Sequence, residues 1–219
     1  MDMTEAMRAR HMVRKYKDIV LPEQIISKLN ARVEENNAAH GLAIKLMTND
    51  KNAVGAIVKM ILAKGVNNYF ILAGDDSPEL EERLGYCGAD LMLYAQTLGL
   101  NTWYVGGMFN RNVAQFVSGK KVVGVISVGY GQTEGVPHKS KPPADVSQYT
   151  GDAPEWFTAG INASLLAPTA LNKQDYRITG TENRVRVENE NGIFTGVNRG
   201  LIKYHFELGA GKENFSWES

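Results

Sequence analysis

The stretch YCGADLMLYAQTLGLNTWYVGG, residues 86–107, carries a single charge, Asp90, in 22 positions. Up to about Leu98 its apolar residues leave no continuous polar stripe, which predicts a helix buried on most sides rather than one lying on a surface. Upstream, Ser77 with Pro78 and Glu81 suits a helix start: cap, first-position proline and an early carboxylate. Downstream, NTWYVGG reads as a strand that ends on a glycine pair.

The flanking sequence supplies further helices and strands. Residues 3–16 suit a helix with Thr4 as its cap, and Pro22 opens a second, with Ile25, Ile26, Leu29 and Val33 at helical spacing and Gly41 past its end. LAIKLMT and NNYFILAGD read as strands on either side of a helical pattern, AVGAIVKMILAKG. A short helix around NVAQFVSG precedes the strand KVVGVISVGYG. Residues 132–152, rich in Pro, Gly, Ser and Lys, read as a long surface loop. A helix over 154–167, a hairpin from DYRITG and RVRVENENGIF, and a helix from about Asn198 to Gly209 complete the chain. Helices and strands mix without strict βαβ alternation, so the expected class is α+β, a mixed central sheet flanked by helices in one domain, 1–219. The sequence shows no internal repeat.

Lys+Arg and Asp+Glu are both 24, which argues against a sequence-independent nucleic-acid binder. The lone cysteine, Cys87, can form neither an internal disulfide nor a cysteine-based metal cluster, and reads as packing. With no signal-like run and no spanning segment, the expectation is a soluble, cytoplasmic protein. His11, His40, His138 and His205 lack metal-ligand spacing, and no P-loop, HExxH, dinucleotide fingerprint or nucleophile elbow is present. An enzyme built from this chain would draw its reactive centre from a cofactor, with no catalytic side chain.

Three features are open to two readings. RARHMVRKYK places Arg10 and Arg14 on one face of a helix, either a solvated face or a pair of forks suited to a phosphate. HKSKPP carries Lys139 and Lys141, either solvated or part of the same anion site. Gly106 and Gly107 make either a tight turn or a place where another surface meets the backbone. A fourth stretch, LLAPTALNKQDYRI (165–178), leaves an apolar helix on Pro, Thr, Asn and Gln, as a plain helix stop or as a polar edge for a planar ligand.

Together these pieces resemble the FMN-dependent nitroreductase family. RHMVRKYKDIVLPEQI is similar to its R-R-S-x-R opening, and the 86–107 stretch to its long helix and G-G strand. VGYG…HKSKPP resembles its G-Y-P…R-K-P segment, and LLAPTALNKQDYRI its A-P-S-x-x-N-x-Q-P-W motif. Three departures stand out: the A-P motif comes late, as in one putative nitroreductase subgroup; His11 and Met12 replace the second Arg and the Ser; and Asp175-Tyr176 replaces Pro-Trp.

The resemblance implies a nitroreductase-like fold binding FMN. Arg10, with His11 and the backbone at Met12, would hold the phosphate, and Lys139 and Lys141 would complete that site. Arg14 would face the pyrimidine side, where a fixed cation favours the charge gained on reduction. Gly106 and Gly107 would lie against the isoalloxazine, and Pro168, Thr169, Ala170 and Asn172 would line its pyrimidine edge. It further implies ping-pong hydride transfer from NAD(P)H to a nitro, quinone or other electron-poor small molecule, in a homodimer. A flavin-storing or sensing protein with little turnover is the alternative.

Overall fold

The computed structural model describes residues 1–189 and 192–218, so positions 190–191 within the expected hairpin arm RVRVENENGIF lie outside the described residues. Helix α1 (Met3–Ala9) is capped by Asp2, not Thr4. The Asp2 carboxylate accepts from the Glu5 amide (2.8 Å) while Glu5 accepts from the Asp2 amide (2.9 Å). α1 stops far short of residue 16. Arg10 turns to extended geometry, and the chain beyond it makes isolated bridges: Met12 to Thr102, Lys15 to Lys64 and Tyr16 to Gly131. Pairing with three distant segments outweighs the local helical pattern.

α2 (Glu23–His40) ends at Gly41, whose left-handed φ of 60° closes the helix as expected. β1 (Lys45–Met47), α3 (Ala56–Ile61) and β2 (Tyr69–Gly74) follow, then α4 (Leu80–Thr97), β3 (Asn101–Val105) and β4 (Lys121–Gly129), with a 3-10 turn at Arg111–Phe116. Ser77 does not cap α4. Its hydroxyl accepts from Arg83 Nη2 (2.8 Å), its carbonyl accepts from the Leu80 amide, and the helix begins at Leu80 with Glu81 and Glu82 in its first turn. These four strands form one sheet, ordered β1-β2-β4-β3 and antiparallel throughout.

The expected loop 132–152 is shorter than its composition suggests. Pro142 and Pro143 begin a single helical turn, α5 (Pro143–Val146), and β5 (Ser147–Thr150) runs parallel to a later strand. α6 (Glu155–Ser164), β6 (Tyr176–Thr181), β7 (Arg184–Asn189), α7 (Thr195–Ala210) and β8 (Ser216–Trp217) complete the fold, with 3-10 turns at Ala170–Asn172 and Lys212–Asn214. The second sheet has the order β5-β6-β7-β8, with β6 and β7 antiparallel and the two outer pairings parallel. The α+β class holds, with the strands shared between two sheets.

α4 and α7 pack against each other and join the sheets. One continuous core runs from Phe70 and Leu72 of β2 through Leu84 and Leu91 of α4 to Leu201 and Phe206 of α7 and Val185 of β7. The helices approach closely because each carries a glycine at the crossing. A Cβ on Gly85 would lie 2.1 Å from the Val197 carbonyl oxygen, and one on Gly200 2.0 Å from that of Glu82. Buried Asp90 adds a polar tie: it accepts two hydrogen bonds from Arg32 (2.8 and 2.5 Å), one from Asn36 (2.7 Å) and one from the Tyr204 hydroxyl (2.7 Å). With every acceptor position used, that carboxylate costs little to bury. Cys87 is fully buried, and burial with Asp90 nearby pushes its thiol up to about 12. The packing reading of this residue is borne out.

Candidate functional site

The strand-like segment 10–16 crosses the end of β3, with the Val13 amide donating to the Thr102 carbonyl (3.1 Å). Extended chain alternates its sides. A Cβ on Gly135 would meet His11 Cβ and Val13 Cγ2, so those two face the following loop. Arg10 is buried whereas Met12 is exposed, so the segment does not alternate as a regular strand. The expected helix face is absent: the segment makes only isolated bridges, with Arg10 buried and Arg14 half-buried along it.

Arg10 is 5% exposed, its Nε has no partner, and burial lowers its guanidinium to about 10. Arg14 Nε is also buried without a partner, and its guanidinium lies 5.2 Å from the centre of the Trp103 ring. Among the described residues neither arginine makes an ion pair. Thr102 Oγ1, on the strand that 10–16 crosses, and His205 Nε2, on α7, are two further buried atoms without partners.

The electrostatics agree. His11 is held below its usual value by burial, then by Arg10 and His138, with a weaker opposing hydrogen bond to the Arg10 backbone. His205 is fully buried and pushed down to about 3, by burial first and by Arg10 and His138 after it, against a hydrogen bond to the Leu201 carbonyl (2.8 Å). Four basic side chains thus act on one another, and no carboxylate is among the groups shifting either histidine.

This gives a pH prediction. A histidine depressed in the fold binds protons preferentially when unfolded, so its contribution is complete above about 6.5 and is lost as pH falls from there toward 3. The loss is on the order of a few kcal/mol. Urea midpoints measured across that window should fall steeply for the native chain and markedly less for His205→Leu.

The two later segments meet each other. The Leu165 carbonyl accepts from His138 Nε2 (2.9 Å), Ser140 Oγ (3.3 Å) and Gln174 Nε2 (2.9 Å). Asn172 Nδ2 donates to the Lys139 carbonyl (2.7 Å), and the Lys141 amide donates to Gln174 Oε1 (2.7 Å). Lys141 Nζ is engaged by the Gln174 carbonyl (3.1 Å) and Asp175 (3.2 Å), whereas the Lys139 side chain is exposed. Thr169 is buried, and its Oγ1 accepts from the Gln174 amide (3.2 Å). Pro168 is half-buried beside it, and the Ala170 amide donates to Asn198 Oδ1 (3.0 Å).

The turn is also strained. Leu171, Asn172 and Gln174 all have φ between 51° and 54°, where side chains crowd the backbone. Such strain persists where surrounding contacts enforce it, and it concentrates at functional sites. Gly106 and Gly107 do admit a close approach, but to a residue that sequence reasoning missed: the Phe194 ring, 3.0 Å from a Cβ on Gly106 and 3.5 Å from one on Gly107. Phe194 is itself left-handed (φ 60°) at the start of α7. A separate open cavity of about 500 Å³, lined by Tyr16, Lys51, Lys59, Lys64 and Gln132 among others, includes none of these residues.

Residues 2–210 match the model of a family described as "Putative TM nitroreductase". The chain belongs to this nitroreductase family. No curated protein matches it. Among solved structures, a putative nitroreductase from Thermotoga maritima MSB8 is similar with a TM-score of 0.71 at 18% identity, covering 95% of this chain and 83% of its own. A putative NAD(P)H:FMN oxidoreductase from Staphylococcus epidermidis ATCC 12228 has a TM-score of 0.53 at 14% identity, over 68% of this chain and 96% of its own. A putative NADH dehydrogenase/NAD(P)H nitroreductase from Parabacteroides distasonis ATCC 8503 gives 0.52 at 18%, over 67% and 97%. These likenesses establish the nitroreductase-like fold.

Proposed function

We propose that the chain, as one domain over 1–219, is an FMN-dependent oxidoreductase passing a hydride from NAD(P)H to a nitro, quinone or other electron-poor small molecule. The observation that carries this reading is the uncompensated positive charge at the crossing of segment 10–16 and β3. A buried guanidinium without an anion is costly, and a phosphate is the group that would repay it. The buried, unpartnered Arg10 Nε and Arg14 Nε on this segment are donors that fit a phosphorylated cofactor.

When bound, FMN supplies a centre that accepts and returns hydride, so donor and acceptor can use one place in turn, a ping-pong scheme. The chain's own work is binding and orientation. Arg10 would hold the phosphate, with His11 and the Met12 backbone beside it and Lys139 near. Lys141 would act by fixing the turn through Gln174 and Asp175. Arg14, held over Trp103, would place its charge on the pyrimidine side. Gly106 and Gly107 would lie against the ring, on a face that Phe194 shares. Pro168, Thr169, Ala170 and Asn172 would form the edge.

Phe194 on that glycine face favours the second reading, a flavin-holding protein with little turnover. Stopped-flow mixing of the FMN-loaded chain with NADH or NADPH separates them. Rapid bleaching of the flavin band supports the oxidoreductase, and full flavin with no bleaching supports storage. Arg14→Ala should weaken flavin retention about tenfold and slow bleaching, and wild-type values for both would remove Arg14 from this role. A cytoplasmic location belongs to the same proposal, supported by the single free, buried cysteine. The resemblance implies a homodimer in which the turn reaches a partner's site, yet here the turn is bonded to its own chain's loop.

A further inference from the structure

Across residues 69–102 and 184–217, β2, α4 and β3 of the first stretch recur in order as β7, α7 and β8 of the second. The pairing differs: β3 pairs with β4 and is separated from β2, whereas β8 pairs directly with β7. β2 and β7 are each six residues long, and Arg184 stands 115 positions after Tyr69. The same shift carries Leu80, where α4 begins, to Thr195, where α7 begins, and Asn101, where β3 begins, to Ser216, where β8 begins. Between the two stretches only Gly85/Gly200, Leu93/Leu208 and Ala95/Ala210 are identical, so the sequence conceals what the geometry repeats.

Contacts between α4 and α7 obey the shift. Gly85 approaches the Val197 carbonyl, and Gly200 approaches the Glu82 carbonyl; each contact is the image of the other under 115 positions. Gly196 approaches Glu81, and Gly200 approaches Gly85, and these pairs are their own images. Reciprocal contacts of this kind mark a two-fold, self-complementary interface between like units. A third correspondence lies outside the helix pair. Arg83 Nη1 donates to the His40 carbonyl at the end of α2 (3.0 Å), and Asn198, its image, accepts from the Ala170 amide in the turn after α6. Each unit is therefore preceded by a helix, a turn and a strand antiparallel to its first strand: α2 and β1, then α6 and β6.

The units differ just before their first strands, where residues 48–68 with α3 join β1 to β2 but 182–183 join β6 to β7. They differ again where the site lies. From the end of α2 at His40 to Lys45 the connection is residues 41–44, whereas from Ser164 to Tyr176 it is residues 165–175. The longer turn, found only in the second unit, bears Pro168, Thr169, Ala170 and Asn172. The crossing of 10–16 with β3, found only in the first, bears the unpaired arginines.

We propose that the second unit stands where a second copy of the chain would otherwise stand, and that one chain alone builds one complete ligand site at the junction of its two units. As to the ligand, this rests on the FMN reading. The lengthened turn supplies the wall to the site whose charges the first unit supplies, and the short connection at 41–44 gives no second wall.

Sedimentation of the full chain with FMN, followed at the flavin band over a wide range of dilution, tests it. The expected species has the mass of one chain, 24.1 kDa, with one FMN at every concentration. Flavin that travels with a two-chain species and is released as that species dissociates would overturn the proposal. If no flavin binds in any state, the FMN reading fails and the mass still judges the pairing: one chain upholds it, a stable dimer overturns it. Paired variants add a test independent of mass. Asn198→Ala should raise the Kd for FMN about tenfold by loosening the long turn, while its image Arg83→Ala leaves that Kd within about twofold. Equal effects, or none from Asn198→Ala, contradict the assignment of the wall to the second unit.

Discussion

Arg10→Met raises the Kd for FMN roughly 100-fold and, in the flavin-free protein, raises stability by about 1–3 kcal/mol. The two signs come from one cause. Arg10 is almost wholly buried, its Nε has no acceptor, and burial depresses its guanidinium to about 10. Without an anion that burial is a cost, and methionine of similar length relieves it. With a phosphate in place the same charge becomes the strongest contact, and methionine forfeits it. Flavin fluorescence titration measures the first effect, and urea melts of the stripped protein measure the second. A variant that is destabilised when stripped and retains flavin would assign Arg10 a structural role instead.

Gly200→Ala costs about 4 kcal/mol or more, enough to leave little folded protein. The added Cβ would sit 2.0 Å from the Glu82 carbonyl oxygen and 2.5 Å from the Tyr86 amide nitrogen. Both are backbone atoms inside α4, so no rotamer change relieves the clash and the helices must separate. Gly55→Ala is the matched control: nothing lies within 4 Å of its Cβ, and its stability should change by less than about 0.5 kcal/mol. Thermal melts of the two variants side by side make the comparison. Equal Tm values would mean that the α4–α7 contact does not hold the two sheets together.

Elements whose pattern is local were legible in the sequence. α2 announces itself by Pro22, its spaced Ile, Leu and Val residues and Gly41, and α4 by an unbroken apolar run. Elements that owe their existence to distant partners were not. Nothing within RHMVRKYK breaks a helix; the chain straightens because Thr102, Lys64, Tyr130 and Gln132 bond to it. β5 lies in a loop-like composition and becomes a strand by pairing with β6. The internal pair escaped notice because it is held by two glycines and a set of backbone distances, which three identities do not advertise.

The site divides in the same way. Arg10, Arg14, the glycine pair and the Pro-Thr turn could be singled out from residue type and spacing. His205, Phe194, Gln174 and Asn198 could not, since each sits in an ordinary apolar or polar run and gains its place through contacts over long sequence distances. His205 had one sequence signal, a histidine inside an apolar helix, which by itself is more often packing than function. Arg10 is among the charges that lower its pKa, which ties it electrostatically to the basic cluster.

The most direct test of the central claim is the visible absorption spectrum of the purified chain, before and after incubation with FMN, with the chromophore released by heat and identified. The uncompensated charge at Arg10 and Arg14 predicts a flavin spectrum with FMN as the released species, at one per chain. A colourless protein that takes up no FMN would contradict the account, leaving buried Arg10 and half-buried Arg14 without the anion they are arranged to meet.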